Sequence, residues 1–177
     1  ESLDGLPASG NHRQLARRLL DRSCEELQRA VWDLTPSVLL KQDLPAALRS
    51  LAEEQSANHS CEIIVDVHKD LPAPPERSRS HLLRVSQEAI HNAVRHGHAS
   101  RIRVSLGCPG NQMSLTVEDN GKGFDPAQIP GPTDGHFGLS SMRNRILRLG
   151  GRFRVTSSPT GTVVEATVPI VPAAGTP

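Results

Sequence analysis

Asp119 and Asn92 are the two residues of this sequence whose types and surroundings best suit them to chemistry. Asp119 follows a short apolar run and opens the string Asp-Asn-Gly-Lys-Gly-Phe at residues 119–124. A carboxylate at a strand end can accept a hydrogen bond from a buried amino group. Beneath an adenine it would select the exocyclic amine over the carbonyl that guanine presents there. Gly121 and Gly123 lack a Cβ, so the backbone there can come close to a flat ligand. Upstream, residues 87–99 read Gln-Glu-Ala-Ile-His-Asn-Ala-Val-Arg-His-Gly-His-Ala. Glu88, Asn92 and Arg95 stand at i, i+4 and i+7 and share one helical face. The Asn92 side-chain oxygen is a hard ligand suited to Mg²⁺ that bridges phosphates and offsets charge in phosphoryl transfer.

Each pattern also has an ordinary reading, Asp119 as a turn former before Asn-Gly and Asn92 as a helix-surface amide. Either string alone is common. In this order and about 30 residues apart they are specific. Together they resemble the nucleotide-binding core of the GHKL superfamily, which comprises gyrase, Hsp90-type chaperones, mismatch-repair ATPases and sensor histidine kinases. A third string, GHFGLSSMRNRILRLGG at residues 135–151, resembles the second glycine box and following helix of the nitrate-sensor type of histidine kinase, the group that pairs with helix-turn-helix response regulators. Gly161-Thr162-Val163-Val164 fits the last strand of that group, and residues 30–39 followed by 43–48 resemble the end of its second dimerisation helix and linker. The resemblance covers residues 12–168.

The resemblance implies a two-layer α/β sandwich, the Bergerat fold, with a mixed sheet carrying helices on one face and an N-terminal helical segment in front. It implies ATP and Mg²⁺ as ligands, with Asn92 on the metal. Glu88 matches the acidic position that activates a nucleophile or orders metal-bound water. Arg95 and His96 match positions that touch phosphates, and could equally be helix-end cations favoured by the macrodipole. Gly138 and Leu139 match the box whose backbone N–H groups face phosphates at a helix start. Gly131 and Gly135 would let the preceding loop close over nucleotide. Thr162 completes the nucleotide-binding set with Asp119, Gly121 and Gly123. His91, His96 and His98 invite a metal reading, but Gly97 and the lack of a nearby fourth ligand argue against a closed zinc site. Gly97 itself stands where the family carries a helix former, which would shorten the helix without disturbing Asn92.

These residues need a scaffold, and 177 residues suffice for one sizeable α/β domain plus a helical appendage. A net charge of +1, no Tyr, one Trp and three Phe give little that would hold or stack nucleic acid. Three cysteines, Cys24, Cys61 and Cys108, form neither a disulfide framework nor a C-x-x-C site, as expected in a reducing cytoplasm. The sequence has no run of about 18 apolar residues and no signal-peptide pattern, so no membrane contact is expected of this piece. It opens on Glu1 rather than Met, so a membrane or sensor segment is allowed for upstream.

Residues 12–34 carry Leu20, Leu27 and Leu34 at heptad spacing, the stripe of a helix packed in a bundle. Asp43 is placed to cap a helix bearing Leu44, Leu48 and Leu51 on one face, with Pro45 in its first turn. Residues 61–67 alternate as a strand. The Glu88 helix begins near Glu76 after a proline-rich stretch, and buries Leu82, Leu83, Ala89, Ile90, Ala93 and Val94. Strands are expected at 101–106 and 113–118. A structureless loop spans 125–138, with three prolines and three glycines before Leu139. A helix over 139–149, stopped by Gly150-Gly151, and a hairpin of 153–157 with 162–168 complete the domain. The tail at 172–177 is expected to fray.

A histidine kinase of this group transfers phosphate to a histidine on its first dimerisation helix. The string Ala-Arg-Arg-Leu-Leu-Asp at residues 16–21 has Leu20 in that place. Only about ten residues then separate Asp21 from Val31, too few for a helix end, a turn and a second helix. His12 has no acid in the motif position. Residues 1–42 are therefore read as the second dimerisation helix and linker, 43–171 as the ATP-binding catalytic domain, and the acceptor as lying upstream of Glu1. The expected function is the catalytic part of a sensor histidine kinase that dimerises through its helices and relays phosphate to a helix-turn-helix response regulator. Two rivals remain: an anti-sigma-factor serine kinase on the same fold, opposed by Val31-Trp32-Asp33-Leu34-Thr35-Pro36, and a non-catalytic module gated by nucleotide, opposed by the intact Glu88 and Asn92.

Overall fold

Five short stretches of alternating apolar and polar residues build a single sheet. The computed structural model describes residues 42–125 and 137–170. Within them the elements run α1 (Leu44–Asn58), β1 (Glu62–Val67), α2 (Glu76–Arg95), β2 (Arg101–Gly107), β3 (Gln112–Asp119), α3 (Phe137–Leu147), β4 (Arg152–Ser158) and β5 (Gly161–Pro169). The strands lie in the order β1-β2-β3-β5-β4. Only β1 and β2 pair in parallel. A parallel pair needs a crossover, and α2 supplies it.

The register stacks the apolar residues on one side. Val104 stands opposite Val117, which stands opposite Val164, and Leu106, Leu115 and Ala166 form the next row. All six are buried. Leu44, Leu48 and Leu51 of α1, Leu82, Leu83 and Ile90 of α2, and Met142 and Ile146 of α3 fill the layer over that face. Each such side chain contributes about 1.5–3 kcal/mol of burial free energy. That packing, more than helix propensity, decides where α2 lies. The opposite sheet face is polar, with Arg101 Nε 3.0 Å from Glu62 Oε2 and Arg103 Nη1 2.6 Å from Asp66 Oδ2. Both pairs are exposed and add little stability. This is the two-layer α/β sandwich expected from the sequence.

Local signals set the helix ends. Asp43 Oδ1 accepts the Ala46 N–H at 2.7 Å, with Pro45 in the first turn of α1. Asp43→Ala is expected to destabilise the chain by about 1 kcal/mol, read as a lower urea midpoint at unchanged slope. At the other end of the domain, Gly150 has φ +69°. Its N–H donates to Leu147 O, while the Gly151 N–H donates to Ile146 O. This is the paired glycine cap that satisfies the last carbonyls of a helix.

Several boundaries differ from expectation. The helix expected over 139–149 runs over Phe137–Leu147 instead, so Phe137 and Gly138 are helical rather than part of the loop. It stops earlier because the Leu149 N–H turns to Ile146 O in a tighter final turn. β1 starts at Glu62, since the Cys61 N–H is taken by His59 O. The other strands extend by one residue at one or both ends of the expected spans. The expected helix at 12–34, the family-like segment at 30–39, the loop glycines Gly131 and Gly135, and the tail at 172–177 lie outside the described residues.

Candidate functional site

Asp119 is the last residue of β3, beside the start of β5, and the two strands are antiparallel neighbours. Its Oδ1 accepts two backbone N–H groups, from Gly121 at 2.8 Å and Thr162 at 3.3 Å. These bonds aim the carboxylate and leave Oδ2 without a hydrogen-bond partner among the described residues. Two glycines permit the arrangement. A Cβ on Gly161, whose φ is +144°, would overlap the Asp119 carbonyl. A Cβ on Gly121 would come within 2.9 Å of Asp119 Oδ1 and 2.6 Å of Gly97 O. Asp119 thus sits in a cradle that side chains would fill.

Burial pushes the Asp119 carboxyl above its ordinary range, the N–H groups of Gly121 and Thr162 pull it back in part, and the charge of Glu118 pushes it up again. A carboxyl raised in the folded state binds its proton more readily there than in the unfolded chain. The ligand-free fold therefore gains stability as pH falls through the folded value toward the unfolded one, and loses that gain as pH rises. Affinity for an amino-bearing base should move the other way, because protonation removes an ionised acceptor. Urea unfolding and calorimetric titration followed from neutral into acid pH should show these opposite trends. The difference between the wild type and Asp119→Asn isolates them.

The second group of site residues lies on α2. Glu88 and Asn92 are half-buried neighbours one turn apart, with Asn92 Nδ2 3.5 Å from Glu88 Oε1. A carboxylate only accepts, so the amide nitrogen faces it and the Asn92 oxygen is left for a cation or donor. Gly138, buried in the first turn of α3, packs on both: its Cβ would overlap Glu88 Oε1 and lie 3.4 Å from Asn92 Nδ2. The α3 start, with N–H groups that a helix leaves unpaired, is therefore beside the Glu88–Asn92 pair. The Leu139 side chain packs, partly buried, against the core.

Gly97 connects the two groups. The N–H groups of His96 and Gly97 both donate to Asn92 O, and Gly97 O accepts from the Lys122 N–H at 2.9 Å. Gly97, the departure expected to shorten the helix, is also a close-packing point between the end of α2 and the Gly121 turn. A Cβ there would stand 2.7 Å from Ala93 O. α2 does end at Arg95. Arg95 and His96 are exposed at that end, with the His96 ring edge-on to His91 at 6.4 Å.

Gly123 has φ +59°, and a Cβ on it would overlap the Ser158 carbonyl, so the loop lies directly against β4. Two polar residues that hold this region were not singled out from sequence. Asn120 Oδ1 accepts from the Ser100 and Arg101 N–H groups at 3.0 and 2.9 Å. Ser157 Oγ accepts the Phe124 N–H at 2.9 Å and lies 2.9 Å from Thr162 Oγ1. Only the strand register reveals Ser157, which pairs with Thr162 across β4 and β5.

Residues 77–172 match the family model described as histidine kinase-, DNA gyrase B- and HSP90-like ATPase. The chain is 32% identical over 160 residues to sensor histidine kinase LiaS of Bacillus subtilis (strain 168), covering 90% of this chain and 43% of LiaS. It is 29% identical over 154 residues to sensor protein VraS of Staphylococcus haemolyticus, covering 86% of this chain and 43% of VraS. It spans less than half the length of these curated relatives. Among solved structures, the Erythrobacter litoralis EL346 blue-light activated histidine kinase superposes with a TM-score of 0.65 at 22% identity, covering 96% of this chain and 62% of that one. That likeness establishes the shared fold.

Proposed function

Because this chain belongs to the family of histidine kinase-, DNA gyrase B- and HSP90-like ATPases, we propose that it is the ATP-binding catalytic part of a two-component sensor histidine kinase. In this reading residues 43–171 bind Mg·ATP and residues 1–42 are the second dimerisation helix and linker. The γ-phosphoryl goes to a histidine on a helix that precedes this sequence. The intact protein dimerises through those helices and passes the phosphoryl group to a response regulator with a helix-turn-helix output domain. The catalytic part works in the cytoplasm, where ATP is. No helix among the described residues is long and apolar enough to cross a membrane.

One observation carries this reading: three strings far apart in sequence meet at glycines, Gly138 on the Glu88 and Asn92 side chains, and Gly121 on the Gly97 backbone beside Asp119. Asp119 offers an acceptor to an adenine amine, with Thr162, Gly121 and Gly123 forming the rest of the base-side cradle. Asn92 offers its oxygen to Mg²⁺, which would screen phosphate charge during transfer. Glu88, one turn earlier, is the group to take or steer a proton from the acceptor. The N–H groups at Gly138 and Leu139, with Arg95 and His96, provide positive charge for phosphates.

Calorimetric titration with a non-hydrolysable ATP analogue, with and without Mg²⁺ and against a GTP analogue, tests the binding half. Saturable, Mg²⁺-enhanced binding that prefers adenine is expected. Mixing the chain with ATP and a separate phosphoacceptor-helix protein tests the transfer half. Phosphohistidine should appear on that protein and not on this chain, and stable phosphohistidine formed on this chain alone would contradict the assignment.

A further inference from the structure

Ser157 faces the base-side cradle from β4 with three polar neighbours. Its hydroxyl oxygen accepts the Phe124 N–H at 2.9 Å and lies 2.9 Å from Thr162 Oγ1 and 3.4 Å from Gly161 O. Gly123 passes so close that its missing Cβ would be 2.9 Å from the same oxygen. One hydroxyl therefore touches the strap at residues 121–124 that follows Asp119 and also the buried Thr162, whose N–H holds Asp119.

A serine hydroxyl has one proton and two lone pairs. The Phe124 N–H occupies one lone pair, which leaves the proton and the other lone pair. If the proton goes to Thr162 Oγ1, the Thr162 proton is released toward the cradle and Thr162 becomes a donor beside the acceptor Asp119. That donor–acceptor pair matches an adenine edge, where a ring nitrogen accepts next to an amine that donates. If the Ser157 proton goes to Gly161 O instead, Thr162 must donate to Ser157 and can only accept from a ligand.

We propose that Ser157 is a positioning residue for the adenine base, setting Thr162 as a donor and pinning the strap at Phe124 so that Asp119 and Thr162 read the base together. The inference rests on the nucleotide-binding reading above. Ser157 need not touch the ligand and acts through Thr162.

The test is calorimetric titration of the 177-residue chain with adenosine, ADP and an ATP analogue. Ser157→Ala is expected to weaken all three by the same factor, about five- to tenfold, as for one ordinary hydrogen bond. Ser157→Thr, which keeps the hydroxyl and suits a strand, should restore affinity. In a Thr162→Val background, Ser157→Ala should change affinity less than about twofold, because the group it acts through is gone. Ser157→Cys, similar in size with a weaker donor, gives the same readout should the alanine variant fold poorly. A loss confined to the ATP analogue, unchanged affinity in Ser157→Ala, or full additivity with Thr162→Val would each overturn the proposal. Failure of the wild type to bind any of the three would overturn the nucleotide reading with it, whereas wild-type binding with silent Ser157 variants overturns this inference alone.

Discussion

Replacing Asp119 by alanine should weaken binding of adenine nucleotides by about 100-fold or more. The carboxylate does two things in the folded chain. In the proposed reading it offers Oδ2 to a ligand amine, and through Oδ1 it satisfies the N–H groups of Gly121 and Thr162. Losing a hydrogen bond to a charged group costs about 1.5–3 kcal/mol, and each buried N–H left unpaired adds roughly 1–3 kcal/mol. The hydrogen-bond loss alone reaches about two powers of ten in affinity, and the unpaired N–H groups, a cost to the fold with or without ligand, loosen the cradle as well. Asp119→Asn separates the two roles. Its side-chain oxygen can still accept from Gly121 and Thr162, while its amide nitrogen presents a donor where a donor is already offered by adenine. The fold should hold, ATP should bind weakly, and a base with a carbonyl at that position should gain relative to adenine. Titrating both variants with ATP and GTP analogues decides the matter. Equal ATP affinity in wild type and alanine variant would remove Asp119 from the base site.

Asn92→Ala should abolish the Mg²⁺-dependent part of ATP affinity and lower transfer to a supplied acceptor helix by about 100-fold or more, leaving adenosine binding unchanged. The Asn92 amide turns its nitrogen to Glu88, which leaves its oxygen for a hard cation. Alanine removes that oxygen without touching the cradle at Asp119. It also takes away one partner of Glu88, so transfer should suffer more than binding. A loss of about 100-fold corresponds to nearly 3 kcal/mol of barrier, within reach of one metal ligand together with one misaligned proton acceptor. Asn92→Asp would keep an oxygen but set a second carboxylate one turn from Glu88, and like charges at i and i+4 oppose each other. Comparing adenosine with ATP, each with Mg²⁺ or with chelator, separates phosphate-side from base-side effects. Identical losses for both ligands would argue that Asn92 only supports the fold.

Much of this arrangement was legible in the sequence because its strongest signals are local. Period-two alternation in β2, β3 and β5 and the three- to four-residue spacing in α2 are one-dimensional records of which face is buried. Asp43 and Gly150 mark helix ends through bonds to residues within a turn of themselves. The contacts that join the site are of another kind. Ser157 meets Phe124 from 33 residues away, and Asn120 reaches back to Ser100 from 20. Neither serine nor asparagine in a turn-rich stretch announces a distant partner, and only the pairing of strands supplies it. Gly97 shows the same limit in reverse. As a sequence character it is a weak helix former, and its packing against Gly121 becomes visible only once β3 is laid beside the end of α2. The shift in α3 has a similar source, since Gly138 packs on Glu88 and Asn92 of α2, a contact that the local sequence does not announce.

β5 is the last of the described strands to be made and yet an interior strand of the sheet, between β3 and β4. During synthesis, the ribosome exposes Asp119, Asn92 and Glu88 well before Thr162 emerges. Until β5 adds beside β3, the nascent chain holds an unpaired sheet edge and Asp119 lacks one of its two backbone donors. Contacts so distant in sequence form slowly. If the proposed base site is right, nucleotide stabilises the chain only once β5 is in place, and a product truncated before Thr162 is expected to compete poorly for ATP.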